Sequence, residues 1–117
     1  MLATIANVFV SLIALLHVYI LVLEMFLWTT PTGRRVFGLD AEFAERSKAL
    51  AANQGLYNGF LVAGLVWGLV SGRTDVRVFF LVCVVVAGVY GAATVNKRIL
   101  VVQAVPAALA LVAVALS

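Results

Sequence analysis

Residues 2–28 read LATIANVFVSLIALLHVYILVLEMFLW, and Glu24 is the one charged side chain among them. A helix needs about 20 apolar residues to cross the hydrocarbon core of a bilayer, so this run predicts a membrane-spanning helix. No basic residue precedes the run, and it is long and contains Glu24. We therefore interpret it as a retained first helix rather than as a signal peptide.

The rest of the chain has the same composition. Of its 117 residues, 65% are hydrophobic and 11% are charged, whereas soluble domains carry about a quarter charged residues. Too few polar side chains remain to cover a water-facing surface, and disordered chains are poor in apolar residues. The net charge of +3 lies in short loops, which indicates membrane topology rather than nucleic-acid binding. The composition predicts an integral membrane protein whose main partner is the lipid bilayer.

Three further apolar segments follow, at about 41–70, 76–95 and 99–116. Their continuous apolarity favours membrane helices, because the strands of a β-barrel alternate polar and apolar residues. Together with 2–28 they predict an all-α fold, a four-helix transmembrane bundle with short loops. The prediction is a single domain over residues 1–117, with no room for an extramembrane domain.

The longest loop, residues 29–40, joins the first two predicted helices. Asp40 at its end is expected to cap a helix that begins near Ala41. Two spacings within the first turns of that helix are typical of ion pairs: Glu42 with Arg46, and Glu45 with Lys48.

The basic residues predict the orientation in the membrane. With four spans, the first and third loops lie on one side and hold six Lys or Arg: Arg34, Arg35, Arg46, Lys48, Lys97 and Arg98. The other side holds two, Arg73 and Arg77. Because cytoplasmic loops carry the excess of Lys and Arg, both termini are expected outside and the long loop inside. A multi-pass protein of a bacterial inner membrane is predicted.

Almost all of the intramembrane polar residues fall in the cytoplasmic half in this topology, except Asn7 and Ser11 near the start of the first helix and His17 near the midplane. A buried carboxylate needs a partner, and an intramembrane ionisable residue is by default a functional-site hypothesis. We expect a polar pocket that opens to the cytoplasm, with Glu24 at its centre. Its predicted lining is Glu24, His17, Asn53, Gln54, Tyr57, Asn58, Tyr90 and Gln103.

The same residues also fit a structural role. Asn, Gln and Tyr in membrane helices often hydrogen-bond one helix to another, and Glu24 lies near enough to the boundary to reach Arg34 or Arg35. A single histidine, His17, gives too few ligands for a metal or haem, so no metal and no cofactor are expected. The side chains suggest no nucleophile with a base and an orienting acid.

Small residues at a spacing of four predict close helix packing. We expect spans two and three to pack together in one chain through these residues, with a homodimer seam as the alternative. The glycines concerned are Gly55, Gly59, Gly64, Gly68 and Gly91. Pro106 is expected to kink the fourth helix.

Two strings resemble a known family. They are residues 24–38, which begin Glu24-Met25-Phe26-Leu27-Trp28-Thr29-Thr30-Pro31, and residues 53–61, NQGLYNGFL. The chain is similar over essentially its whole length to the bacterial membrane family called domain of unknown function 1304. The resemblance implies a four-helix inner-membrane protein and implies no activity.

Three functions from different classes remain open. The first is binding or transport of a small amphipathic or cationic ligand, with Glu24 as its counter-charge or proton carrier. The second is a structural or accessory subunit of a membrane complex, in which the polar residues only join helices. The third is a membrane enzyme that acts on a lipid-soluble substrate, with Glu24 as general acid or base. The sequence therefore leaves open whether the protein is an enzyme, what its substrate is, and its oligomeric state.

Overall fold

The computed structural model describes residues 1–117 and consists of helices and connections. The helices are α1 (Leu2–Met25), α2 (Pro31–Phe37), α3 (Ala41–Ser71), α4 (Thr74–Thr94), a π-helical turn (Leu100–Ala104) and α5 (Val105–Leu116). They account for 87% of the residues and no strand is present. The predicted all-α class is confirmed.

The predicted apolar segments correspond to α1, α3, α4 and the π-helical turn with α5. The first helix ends at Met25, three residues before the predicted end at Trp28. The N–H groups of Phe26 and Leu27 both donate to the carbonyl of Val22, at 3.0 and 3.2 Å. This shared acceptor breaks the regular helical pattern and ends α1.

The segment predicted as a loop contains an additional helix, α2. The hydroxyl of Thr30 accepts a hydrogen bond from the N–H of Gly33 at 3.3 Å and caps the helix. Pro31 occupies the first helical position, where a missing N–H is harmless. Gly38 ends α2 with a φ of 67°, a left-handed conformation that glycine adopts without strain. The Thr-Pro pair and the glycine are ordinary helix start and stop signals that the loop prediction did not use.

The cap predicted for α3 is confirmed. The Asp40 carboxylate accepts a hydrogen bond from the N–H of Phe43 at 2.7 Å. One turn later Lys48 and Glu45 form the predicted ion pair at 2.5 Å. The spacing from Glu42 to Arg46 carries no ion pair in the structure. Both pairs lie at exposed positions, where ion pairs contribute little to stability.

The chain forms two compact units. The first comprises Met1–Leu15 and Leu61–Ser117, and the second comprises Leu16–Phe60. Within the first unit, residues from the beginning of α1, the end of α3, α4 and α5 share one hydrophobic core. The core residues are Ala6, Val10, Ile13, Ala14, Leu65, Leu81, Val84, Ala107, Ala110, Ala113 and Val114. Alanines at every third position of α5 let it pack closely in this core.

The π-helical turn lies against α4 in the first unit. Pro106 follows the turn by two residues and has no N–H to donate, so a regular α-helical hydrogen bond is lost there. The chain accommodates the proline by widening the helix over Leu100–Ala104. Gly88 of α4 faces this turn, and a Cβ placed on Gly88 would lie 2.8 Å from the nitrogen of Ala104. The predicted perturbation at Pro106 thus takes the form of a wider helical turn.

Two helices are long and apolar enough to cross a membrane, Leu2–Met25 and Thr74–Thr94. The apolar helical stretch Leu100–Leu116 is shorter. The helix α3 is long enough but not apolar enough to be counted with them. Its first half is charged, and Asn53, Gln54 and Asn58 interrupt the apolar residues that follow.

Candidate functional site

Glu24 lies in the last turn of α1, in the second unit, and only 9% of its surface is exposed. The side-chain amide of Asn58, on α3, donates a hydrogen bond to Glu24 Oε1 at 2.5 Å. Neither of the two ion pairs in the structure involves Glu24. The carboxyl group is therefore held by a neutral donor and has no cationic partner.

Two glycines of α3 let this helix approach α1 beside the carboxyl group. A Cβ on Gly55 would lie 3.2 Å from Glu24 Cβ and 3.3 Å from the carbonyl oxygen of Leu21. A Cβ on Gly59 would lie 3.1 Å from Leu21 Cδ1. A larger residue at position 55 would meet the backbone of α1 and separate Asn58 from Glu24, whereas at position 59 only the end of the Leu21 side chain would have to move.

The other predicted packing glycines belong to the first unit. Gly64 faces the ring of Phe80, and a Cβ on Gly68 would lie 3.0 Å from the backbone nitrogen of Arg77. A Cβ on Gly91 would lie 3.2 Å from the side chain of Ile99. The glycines at 64 and 68 thus accommodate α4, as expected for spans two and three, whereas those at 55 and 59 accommodate α1.

The connection that follows α1 is fixed to α3 by side chains. The indole N–H of Trp28 donates to the hydroxyl of Ser47 at 3.0 Å. The ring centroids of Trp28 and Phe37 are 4.9 Å apart. Gly33 packs directly on the carbonyl of Leu27, with no space for a Cβ. These contacts lie within the second unit and hold the chain on both sides of α2.

The remaining predicted site residues of the second unit differ in exposure. His17 is fully buried, whereas Asn53, Gln54 and Tyr57 are exposed. Tyr57 packs its ring edge-on against Phe60, with 5.8 Å between the centroids. A direct hydrogen bond joins two of the predicted pocket residues of this unit, Glu24 and Asn58.

Two predicted pocket residues belong to the first unit. Tyr90 on α4 is 70% exposed. Gln103 is half-buried in the π-helical turn.

Two open clefts lie in the first unit. One, of about 200 Å³, is apolar and is lined by Phe9, Leu12, Ile13, Pro106 and Leu109. The other, of about 420 Å³, is lined by Trp67, Asp75, Val76, Phe79 and Phe80. None of the predicted pocket residues lines either cleft. No three His, Cys, Asp or Glu side chains lie close enough together to hold a metal ion.

Arg77 is a buried polar residue, whereas the sequence predicts for it only a charge on the outer side of the membrane. It lies in the first turn of α4, in the first unit, and is 8% exposed. Its Nη1 donates to the side-chain oxygen of Asn7 at 2.6 Å. An arginine inside an apolar helix, with an asparagine near the same end of another helix, is a signal that could have found this contact.

Comparison with known proteins identifies the family. The family described as "Protein of unknown function (DUF1304)" matches residues 11–115. The chain belongs to the DUF1304 family. The uncharacterised protein YpaA of Lactococcus lactis subsp. lactis (strain IL1403) is 36% identical over 114 residues, which cover 93% of this chain and 96% of YpaA. No solved structure matches the chain.

The resemblance inferred from the two sequence strings is thus confirmed. The region that matches DUF1304 contains Glu24, Asn58 and Arg77. The description of DUF1304 gives no activity, so a function has to be argued from the side chains.

Proposed function

We propose that this DUF1304 protein is a four-helix, multi-pass protein of the bacterial inner membrane that binds a small cationic or amphipathic molecule at Glu24. The bound molecule enters from the cytoplasmic side, and transport follows if the opposite side opens in turn. Glu24 supplies the negative charge, and Asn58 holds the carboxyl group in position.

The observation that supports this function is the burial of Glu24 without a cation. Removing a carboxylate from water costs several kcal/mol unless a positive charge or several hydrogen bonds replace the solvent. Asn58 provides one hydrogen bond, from a neutral amide. A cationic ligand, or a proton, supplies the missing partner, and a purely structural carboxyl group would be served as well by an apolar residue.

The membrane location is supported by the exposed side chains. Large apolar residues are exposed along α1, α4 and α5, among them Leu15, Phe79 and Leu109, at 64%, 62% and 57%. Water-soluble monomers rarely expose contiguous apolar surface on this scale, whereas lipid chains cover it without penalty. The excess of Lys and Arg in the first and third loops supports an orientation with both termini outside.

Binding of a lipophilic cation to the purified full-length protein tests this function. Tetraphenylphosphonium is a suitable probe, because it carries one positive charge and enters apolar sites. The variant Glu24→Gln keeps the size of the side chain and removes its charge. Its matched control is Glu45→Gln, which removes the same charge from an exposed residue paired with Lys48.

We expect Glu24→Gln to raise the Kd for the probe tenfold or more. Two opposite charges about 6 Å apart attract each other by roughly 3 kcal/mol at an effective dielectric constant of about 20, and about 1.4 kcal/mol corresponds to tenfold in affinity. The control is expected to bind like the unmodified protein. Equal binding by the two variants would reject Glu24 as the cation site.

A further inference from the structure

Besides Glu24 in the second unit, the structure buries one arginine in the first unit, Arg77. Its Nη1 donates to Asn7 Oδ1 at 2.6 Å, and its Nη2 donates to Thr74 Oγ1 at 3.2 Å. The side chain is 8% exposed. Both acceptors are neutral, so the positive charge of Arg77 is not compensated by either of them.

The nearest carboxylate along the chain is already paired. Asp75 accepts hydrogen bonds from Arg73 Nε at 3.1 Å and from Nη2 at 2.7 Å. This two-point contact matches the shape of a guanidinium group to that of a carboxylate. Arg73 and Asp75 neutralise each other at the surface and leave Arg77 as the uncompensated cation at this end of α4.

Arg77 also has hydrogen-bond donors to spare. A guanidinium group has five N–H donors, and protein groups accept from two of them. The Nε atom is buried and has no acceptor. The two residues that bond the Nη atoms, Asn7 and Thr74, are themselves exposed, so the end of the guanidinium group lies at the rim of the unit.

A largely apolar cleft lies at the same end of α4. Val76, the residue before Arg77, lines the cleft of about 420 Å³ together with Trp67, Phe79 and Phe80. Asp75, whose charge is taken by Arg73, is its remaining lining residue. One end of α4 thus carries both a guanidinium group with spare donors and a surface that suits an acyl chain.

We propose that Arg77, with Asn7 and Thr74, binds the phosphodiester group of an anionic membrane lipid, and that the adjacent cleft receives part of an acyl chain. The planar guanidinium group suits phosphate oxygens in two-point contact. This inference depends on the membrane location given above, but not on the role of Glu24.

Binding of dioleoylphosphatidylglycerol to the detergent-purified full-length protein, measured by native mass spectrometry, tests the proposal. Dioleoylglycerol has the same chains without the phosphate, and inorganic phosphate has the anion without the chains. The informative variant is Arg77→Lys, which keeps the charge and loses the two-point contact; Arg77→Gln removes both. The matched control is Arg35→Gln, which removes an exposed arginine of α2 that takes part in neither ion pair and does not line the cleft.

We expect Arg77→Lys to bind the phosphatidylglycerol about tenfold more weakly than the unmodified protein, and Arg35→Gln to change binding less than threefold. Glu24→Gln is expected to bind this lipid normally, which separates the test from that of the cation site. Equal weakening by the Arg35 and Arg77 variants would indicate general charge attraction and overturn the proposal. Equal binding of dioleoylglycerol, or displacement of the lipid by equimolar inorganic phosphate, would also overturn it.

If Arg77→Gln does not fold, Arg77→Lys still tests the two-point contact, because it retains the buried charge. Unchanged lipid binding by a folded Arg77→Lys variant would refute the two-point contact.

Discussion

The substitution Gly88→Ala probes the packing of α4 against the π-helical turn. The added Cβ would lie 2.8 Å from the nitrogen, 2.9 Å from the Cβ and 3.0 Å from the Cα of Ala104. Carbon atoms in contact are normally about 3.5–4.0 Å apart. Two of these three atoms belong to the backbone, so α4 and the turn would have to separate by several tenths of an ångström.

The magnitude follows from two opposing effects. Forcing an extra carbon into a packed core costs about 1–3 kcal/mol, whereas alanine is favoured over glycine in a helix by about 1 kcal/mol. The net expectation is a loss of up to about 2 kcal/mol in the free energy of unfolding. The matched control is Gly91→Ala on the same helix, whose Cβ would lie 3.2 and 3.3 Å from side-chain atoms of Ile99.

Reversible unfolding in mixed detergent micelles, followed by helical circular dichroism, measures both variants. Gly91→Ala is expected to be neutral or stabilised, because the end of the Ile99 side chain can rotate away and the gain in helix propensity remains. If Gly88→Ala is as stable as Gly91→Ala, the close approach of α4 to Ala104 is wrong.

Three further predictions concern the second unit and the orientation. Asn58→Ala removes the donor to Glu24 and is expected to lower the free energy of unfolding by about 1–3 kcal/mol, while Asn53→Ala, at an exposed position, changes it little; equal losses in micelle unfolding would contradict this. Trp28→Phe removes one hydrogen bond of about 1 kcal/mol, and Ser47→Ala removes that bond and the one that Ser47 donates to the carbonyl of Phe43. Their double variant should lose less than the sum of the two; full additivity in the same assay would show that they do not interact. Alkaline phosphatase fused to either terminus is expected to be active in cells and green fluorescent protein dark, whereas the opposite pattern would reverse the proposed orientation.

The all-α class can be predicted from the sequence, because helix formation here depends on composition and on capping residues. Continuous apolar runs and the absence of alternation lead directly to helices, and Asp40 marks the start of α3 through one side-chain hydrogen bond. These are local effects. The helix α2 is also local in origin, since Thr30, Pro31 and Gly38 mark its ends, but at seven residues it is far shorter than the apolar runs on which the helix predictions depend.

The contacts of the candidate sites depend on which faces of the helices meet. The depth of Glu24 and Asn58 along their helices brings both to one level, and the structure joins them directly. Depth along a helix does not say which side of the helix a residue occupies. Tyr57 lies at the same level as Asn58, but its side chain is at the surface. Arg77, within the third apolar segment, counts in the predicted orientation only as a charge on the outer side, whereas the structure buries it in contact with Asn7.

The π-helical turn at Leu100–Ala104 predicts how the length of this segment differs between relatives. A π-helical turn accommodates one residue more than the α-helical turn it replaces, so the removal of a single residue there can restore regular geometry without altering the angular position of the alanines that follow. A relative that lacks the proline at the position of Pro106 is therefore expected to be one residue shorter in this segment and to keep its small side chains turned towards α4. In such a relative, the position of the deletion would mark the additional residue that the π-helical turn holds in this chain.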